Sequence, residues 1–112
     1  MPPSYDLANV KRLVRASRFR INPDALQDVI DDFGWSDVEV VKVLLALNSR
    51  LFRSDPTRNH FYKTEPHRSF PNTMMDYYKI ANAYQGEKVY THFYIHPSSG
   101  LLVISSFHEL DL

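Results

Sequence analysis

Cysteine is absent from this 112-residue chain, and glycine occurs only three times. The first absence removes disulfides, thiolate metal ligation and a thiol nucleophile together. The second leaves Gly34, Gly86 and Gly100, too scattered for a glycine-rich loop around phosphates. No apolar run approaches the ~20 residues of a membrane-crossing helix. The start, Met1-Pro2-Pro3-Ser4-Tyr5-Asp6, lacks the charged-then-apolar order of a signal peptide. Net charge is missing as well. Thirteen Lys+Arg stand against thirteen Asp+Glu, whereas a domain that binds nucleic acid by bulk electrostatics usually has a pI above ~9. What remains is 44% apolar and 13% aromatic, the composition of an ordered globular protein rather than a disordered segment. A chain of this length supports one core, so residues 1–112 read as a single domain.

The zero is an average over unlike segments. Lys11, Arg12, Arg15, Arg18 and Arg20 are opposed only by Asp6, and residues 24–39 then carry Asp24, Asp28, Asp31, Asp32, Asp37 and Glu39 with no basic residue. All five histidines and ten of the fifteen aromatics follow from His60 onward. The basic stretch, Lys11 to Arg20, is assigned to the first helix candidate, where it is either a steering surface for an anionic partner or a plain solvated face.

Three helices are expected in the first half. Asp6 caps a helix whose apolar residues Leu7, Val10, Leu13 and Val14 recur at three- and four-residue spacing. Asn22-Pro23-Asp24 places an N-cap, a proline at the first helical position and a dipole-matched acid in order, and Gly34 ends that helix. Ser36-Asp37-Val38-Glu39 is a capping box that opens a third helix to about Asn48. Val40, Val41, Val43, Leu44, Leu45 and Leu47 make it apolar around most of its circumference, so it is the expected central buried helix. Strands are expected at Phe61–Thr64, Met74–Ala83, Glu87–Ile95 and Leu101–Phe107, with a loop over His67–Thr73 and a turn at Pro97-Ser98-Ser99-Gly100. Helices followed by strands indicate an α+β domain, here three N-terminal helices packed on a C-terminal antiparallel sheet.

The strand from Glu87 alternates between two faces. Val89, Thr91, Phe93 and Ile95 suit the helix side; Tyr90, His92, Tyr94 and His96 occupy the other. Such a row is either amphipathic filling of a half-exposed sheet or a reactive surface. If His96 opposes Leu102, then Tyr90 opposes His108 with Cβ atoms roughly 5 Å apart, a pairing that a one-residue slip would destroy. Metal chelation is a poor use of these histidines, because His92 and His96 lie roughly 13 Å apart along a strand. No nucleophile elbow is present either. Tyr, His and Lys without metal or thiol can still move protons around an RNA phosphodiester, where the 2′-hydroxyl is the nucleophile and the protein supplies a base, a cation and an acid. Composition alone leaves that chemistry as one of several.

The motif order narrows the choice. Phe61-Tyr62-Lys63-Thr64, Met75-Asp76-Tyr77-Tyr78-Lys79, Gly86-Glu87-Lys88-Val89-Tyr90 and Leu102-Val103-Ile104-Ser105-Ser106-Phe107-His108-Glu109 follow one another. Val10-Lys11-Arg12-Leu13-Val14 and Val43-Leu44-Leu45-Ala46-Leu47 precede them. In order and spacing the chain resembles the motility quorum-sensing regulator (MqsR) toxin family from about Leu7 to Leu110. The resemblance implies a RelE-like α+β fold, cleavage of messenger RNA without metal or other cofactor, and neutralisation by a cognate antitoxin in the bacterial cytoplasm, with the ribosome as a further candidate partner and no membrane. Lys63 falls on the family's catalytic lysine and Tyr90 on its tyrosine. His108 stands where the family has lysine, and Met75 where it has glutamine. About ten extra residues, roughly 48 to 58, precede Phe61, and an alternative alignment sets Arg53 at the lysine position; the spacing to Asp76 favours Lys63. Lys63, Tyr90 and His108 are therefore the expected catalytic residues, and His92, Tyr94, Lys79 and Arg53 the expected RNA contacts. Histidine at 108 makes activity more pH-dependent than lysine would, since its reference pKa is ~6.5. The competing expectation is a catalytically weak protein of the same fold that binds RNA, the ribosome or an antitoxin.

Overall fold

In the computed structural model, which describes residues 2–111, the Asp6 carboxylate accepts the Ala8 backbone N–H at 2.9 Å and starts α1 (Leu7–Arg15). The helix stops where Ser17 takes φ +57° and the Arg18 N–H turns back to the Leu13 carbonyl at 2.8 Å. Arg18 and Arg20 consequently lie outside the helix, which shortens the expected basic helical face. Arg20 instead sits in β1 (Phe19–Ile21), a three-residue strand that hydropathy periodicity is too short to disclose. Pro23 then begins α2 (Pro23–Phe33), and Gly34 ends it in the left-handed conformation at φ +69°. The Ser36 backbone N–H donates to Glu39 Oε1 at 2.8 Å and the Val38 N–H to Ser36 Oγ at 3.3 Å, completing the capping box of α3 (Asp37–Leu45).

The remaining elements are β2 (Phe61–Pro66), β3 (Met74–Tyr84), β4 (Glu87–Ile95) and β5 (Leu102–Glu109). Five strands form one sheet in the order β1-β5-β4-β3-β2. The α+β class with three helices holds, but the sheet is mixed rather than antiparallel, because β1 interrupts the helices and pairs parallel to β5. The third helix also departs from expectation. It ends at Leu45, three residues early, and packs one face only: Val40, Val43 and Leu44 are buried, while Val38 is 54% exposed.

The helices cover one face of the sheet. Val10, Val29, Val40 and Leu44 pack with Phe61, Tyr78, Phe93, Ile104 and Phe107 in a single apolar core. Trp35 stacks on Phe33 with ring centroids 4.3 Å apart, and Phe107 meets the edge of Phe33 at 6.0 Å. The first strand-side contact of the chain lies ahead of α1 in the sequence. Asp76, fully buried, accepts the Ser4 and Tyr5 backbone N–H groups at 3.0 and 2.9 Å and ties the N-terminal segment to β3.

Two β-bulges decide which side chains reach the open face. On β5, Leu102, Ile104 and Phe107 are all core residues, a spacing that strict alternation cannot supply. Ser105 is the extra residue: Phe93 pairs with Ile104, but His92 pairs with Ser106. Near the turn, Ile95 rather than His96 opposes Leu102, one residue from the expected register. The bulge restores the phase, so Tyr90 does oppose His108. On β2, Tyr62 is extra between the Phe61–Tyr78 and Lys63–Tyr77 pairs, which buries Phe61 while turning Lys63 outward.

Candidate functional site

Strand registers place two rows on the face away from the helices. Lys63, Tyr77, His92 and Ser106 form one across β2, β3, β4 and β5. Lys79, Tyr90 and His108 form the next. Within this surface the Tyr90 and His108 rings stack at 5.1 Å with their planes 19° apart. Tyr77 contacts the ring of His92 at 4.6 Å and that of Tyr90 at 6.2 Å, and the Lys63 ammonium lies 4.8 Å from the Tyr77 ring centroid. Three residues distant in sequence, Lys63, Tyr90 and His108, thus share one half-exposed patch with His92.

The protonation states follow from the contacts. His108 Nδ1 is 2.9 Å from the Glu109 carbonyl oxygen. A carbonyl only accepts, so Nδ1 carries hydrogen, and the neutral ring keeps its lone pair on Nε2. Lys63 Nζ is 2.7 Å from Glu65 Oε1, and that hydrogen bond raises its pKa, keeping it cationic at neutral pH. Burial raises the Tyr90 hydroxyl, opposed by the nearby Lys63 charge, so Tyr90 is a neutral donor. His92 is pushed down to about 4, first by burial and then by His108, Lys63 and His67. It is neutral near pH 7 and cannot serve there as a general acid.

The other sequence-derived contacts divide. Arg53 is exposed beside Lys63, lining a small depression of about 170 Å³ with Tyr62 and Thr64. Lys79 is half-exposed, with its ammonium 3.7 Å over the ring of bulge residue Tyr62. Tyr94 is less open than its place in the strand alternation suggests. It is only 7% exposed, packed with Met75 and Val103 and flanked by His67 at 4.6 Å and Phe70 at 5.9 Å. The loop after β2 folds back over it, and the little of Tyr94 that stays open lines a cleft together with Tyr77 and His92.

Several residues here escaped the sequence. Tyr77 joins both rows, a role visible only once Tyr78 is known to point into the core. His67 lies in the expected loop, and its Nδ1 accepts the Ser69 and Phe70 backbone N–H groups at 2.9 and 3.2 Å, which fixes the ring. Arg20 registers with Val103, a residue of the open-face cluster. Its one sequence signal was the Phe-Arg-Ile alternation. Beside the rows lies a cleft of about 410 Å³ whose lining includes Tyr77 and His92. A groove of similar volume, about 410 Å³, lies on the helix side among Phe19, Ile21, Leu26, Ile30 and Trp35. It is apolar, with Asp37 its one ionisable lining residue, and does not meet the histidine patch.

Among the described residues, no three His, Asp or Glu side chains are grouped to hold a metal ion, and no helix is long and apolar enough to cross a membrane. No protein-family model matches the chain, and no curated protein matches it.

Proposed function

We propose that the protein is an endoribonuclease toxin of a type II toxin–antitoxin pair, with a RelE-like fold, that cleaves messenger RNA in the bacterial cytoplasm and is held inactive by a cognate antitoxin. The supporting observation is the stacked Tyr90–His108 pair lying with Lys63 and His92 on one open sheet face. The motif order shared with the MqsR family adds to it. A neutral overall charge is no obstacle, because a site gripping a few nucleotides needs local cations rather than a basic domain.

The chemistry follows from the assigned protons. The 2′-oxygen attacks phosphorus, and its proton passes to His108 Nε2, the ring nitrogen that carries the lone pair. Charge builds on the non-bridging oxygens, where the Lys63 ammonium and the Tyr90 hydroxyl are the available donors. The 5′-oxygen leaves and takes a proton from water, the hydroxide so formed recovers the proton that His108 took up, and the upstream fragment ends in a 2′,3′-cyclic phosphate. No step calls for a metal or an organic cofactor.

A second reading, a catalytically weak binder of RNA or of an antitoxin, draws on the Lys63–Glu65 ion pair, which neutralises the cation that catalysis would use. Incubating the protein with a 5′-labelled RNA in EDTA separates the two. Cleavage with a cyclic-phosphate end, lost in Lys63→Ala, Tyr90→Ala and His108→Ala, supports the nuclease. Cleavage unchanged in all three variants rejects the site; RNA binding without cleavage supports the second reading.

A further inference from the structure

The cleft beside Tyr77 and His92 brings in parts of the chain that phosphate chemistry does not use. Asn22 joins β1 to α2, and its side chain makes no capping hydrogen bond although it stands at the N-cap; its Oδ1 accepts a long, exposed hydrogen bond of 3.5 Å from Arg20 Nη2. Ser105 reaches the cleft because it is the bulge residue of β5. His67 enters from the loop after β2, its ring oriented by two backbone N–H groups on Nδ1, so in the neutral ring Nε2 carries the hydrogen. His92 forms part of the wall; its Nδ1 is buried without a partner, and Nε2 is the nitrogen left to offer.

These groups define a ligand class. The volume, about 410 Å³, is at the small end of ordinary ligand sites, which run from about 300 to about 1,000 Å³. The aromatic wall residues Tyr77, Tyr94 and His67 provide flat apolar surface, while the amide of Asn22, the hydroxyl of Ser105 and the His92 imidazole provide uncharged donors and acceptors. A phosphate would call for cations in the interior, yet the lining guanidinium, Arg68, is on an exposed loop residue and the lining also carries the Glu65 carboxylate, which repels an anion. A planar heteroaromatic with a hydrogen-bonding edge fits this lining, and in RNA that is an unpaired base. Tyr77 and His92 belong both to the cleft and to the row that begins at Lys63, so the two sites are contiguous.

We propose that this cleft receives one unpaired nucleobase of the RNA, the base adjoining the phosphate held at Lys63 and Tyr90, and that Asn22, Ser105 and His92 select its identity. The proposal rests on the ribonuclease reading of the neighbouring residues, and it makes cleavage sequence-selective at that one nucleotide. A pocket built to hydrogen-bond a particular edge discriminates strongly, because a wrong base leaves its polar groups unpaired.

The test uses two readouts on the full chain. Binding is measured with four non-cleavable 2′-O-methyl oligonucleotides that differ at one base, and cleavage with the four corresponding ribose oligonucleotides. One base is expected to be preferred at least about tenfold in both. Asn22→Ala, which removes a side chain that caps nothing, and His92→Phe, which keeps a ring without its nitrogens, are each expected to reduce that preference about tenfold. Equal binding of all four oligonucleotides, or a preference unchanged in both variants, overturns the proposal. Base-selective binding that the variants abolish, without cleavage of any ribose oligonucleotide, upholds the cleft and removes the nuclease reading. Cleavage with no base preference does the reverse.

Discussion

The depressed pKa of His92 makes fold stability depend on pH in a definite direction. An unfolded histidine titrates near ~6.5, whereas burial and the neighbouring His108, Lys63 and His67 hold this one at about 4. Above pH ~6.5 both states leave His92 neutral, and it contributes no pH dependence. Between the two values the unfolded chain takes a proton that the native state refuses, so stability falls as pH falls and the loss is complete near the folded pKa. At about 1.4 kcal/mol for each pH unit between the two pKa values, the ceiling is about 3 kcal/mol. His92 is only partly buried, and solvent screening of the neighbouring charges brings the expected loss to about 1–2 kcal/mol. The assay is urea denaturation near pH ~7 and ~4.5, followed by the fluorescence of the single tryptophan, Trp35, which is buried against Phe33. His92→Phe keeps a ring against Tyr77 and removes the titration. Burial also lowers His60, but it is present in both proteins and cancels. The native sequence should lose about 1–2 kcal/mol more than the variant between the two pH values. Parallel losses in the two proteins would refute the assignment of a buried, neutral His92.

Other perturbations probe separate parts of the molecule. Phe107→Ala removes a fully buried ring that meets Phe33 and Trp35, and equilibrium unfolding should show a loss of about 3–5 kcal/mol. Asp76→Ala strands the Ser4 and Tyr5 N–H groups; hydrogen exchange at those amides should speed up and stability drop by about 1–3 kcal/mol, whereas unchanged exchange would show that Asp76 does not tether the segment. Glu65→Gln removes the hydrogen-bonded anion that raises Lys63. Its lysine pKa, followed by NMR, should fall, and RNA should bind about 2–5-fold tighter with a steeper salt dependence. Tyr90→Phe deletes one donor from the patch while keeping the stacked ring, and RNA cleavage should slow about 10²-fold with little change in urea stability.

Local signals in the chain carried most of the helix boundaries. Asp6, the Pro23 start, Gly34 and the Ser36–Glu39 box each act within one turn, so neighbouring residues suffice to specify them. The alternation in Glu87–Ile95 likewise marked which of its side chains face the helices, because a strand's two faces follow from its own pleat. Lys63, Tyr90 and His108 were singled out from motif order, which is a property of the chain. Their meeting is not. It depends on two inserted residues, Tyr62 and Ser105, whose outward displacement lets Phe61, Ile104 and Phe107 fill the core together. A bulge is chosen by packing against partners far along the chain, and no local pattern distinguishes it from simple alternation. The same holds for β1, whose three residues become a strand only against β5, and for Tyr94, which looked like an exposed stacking ring until the loop carrying His67 and Phe70 closed over it. Short-range chemistry therefore specified the elements and nominated the reactive side chains. Long-range burial chose the registers, and with them which of those side chains share a surface.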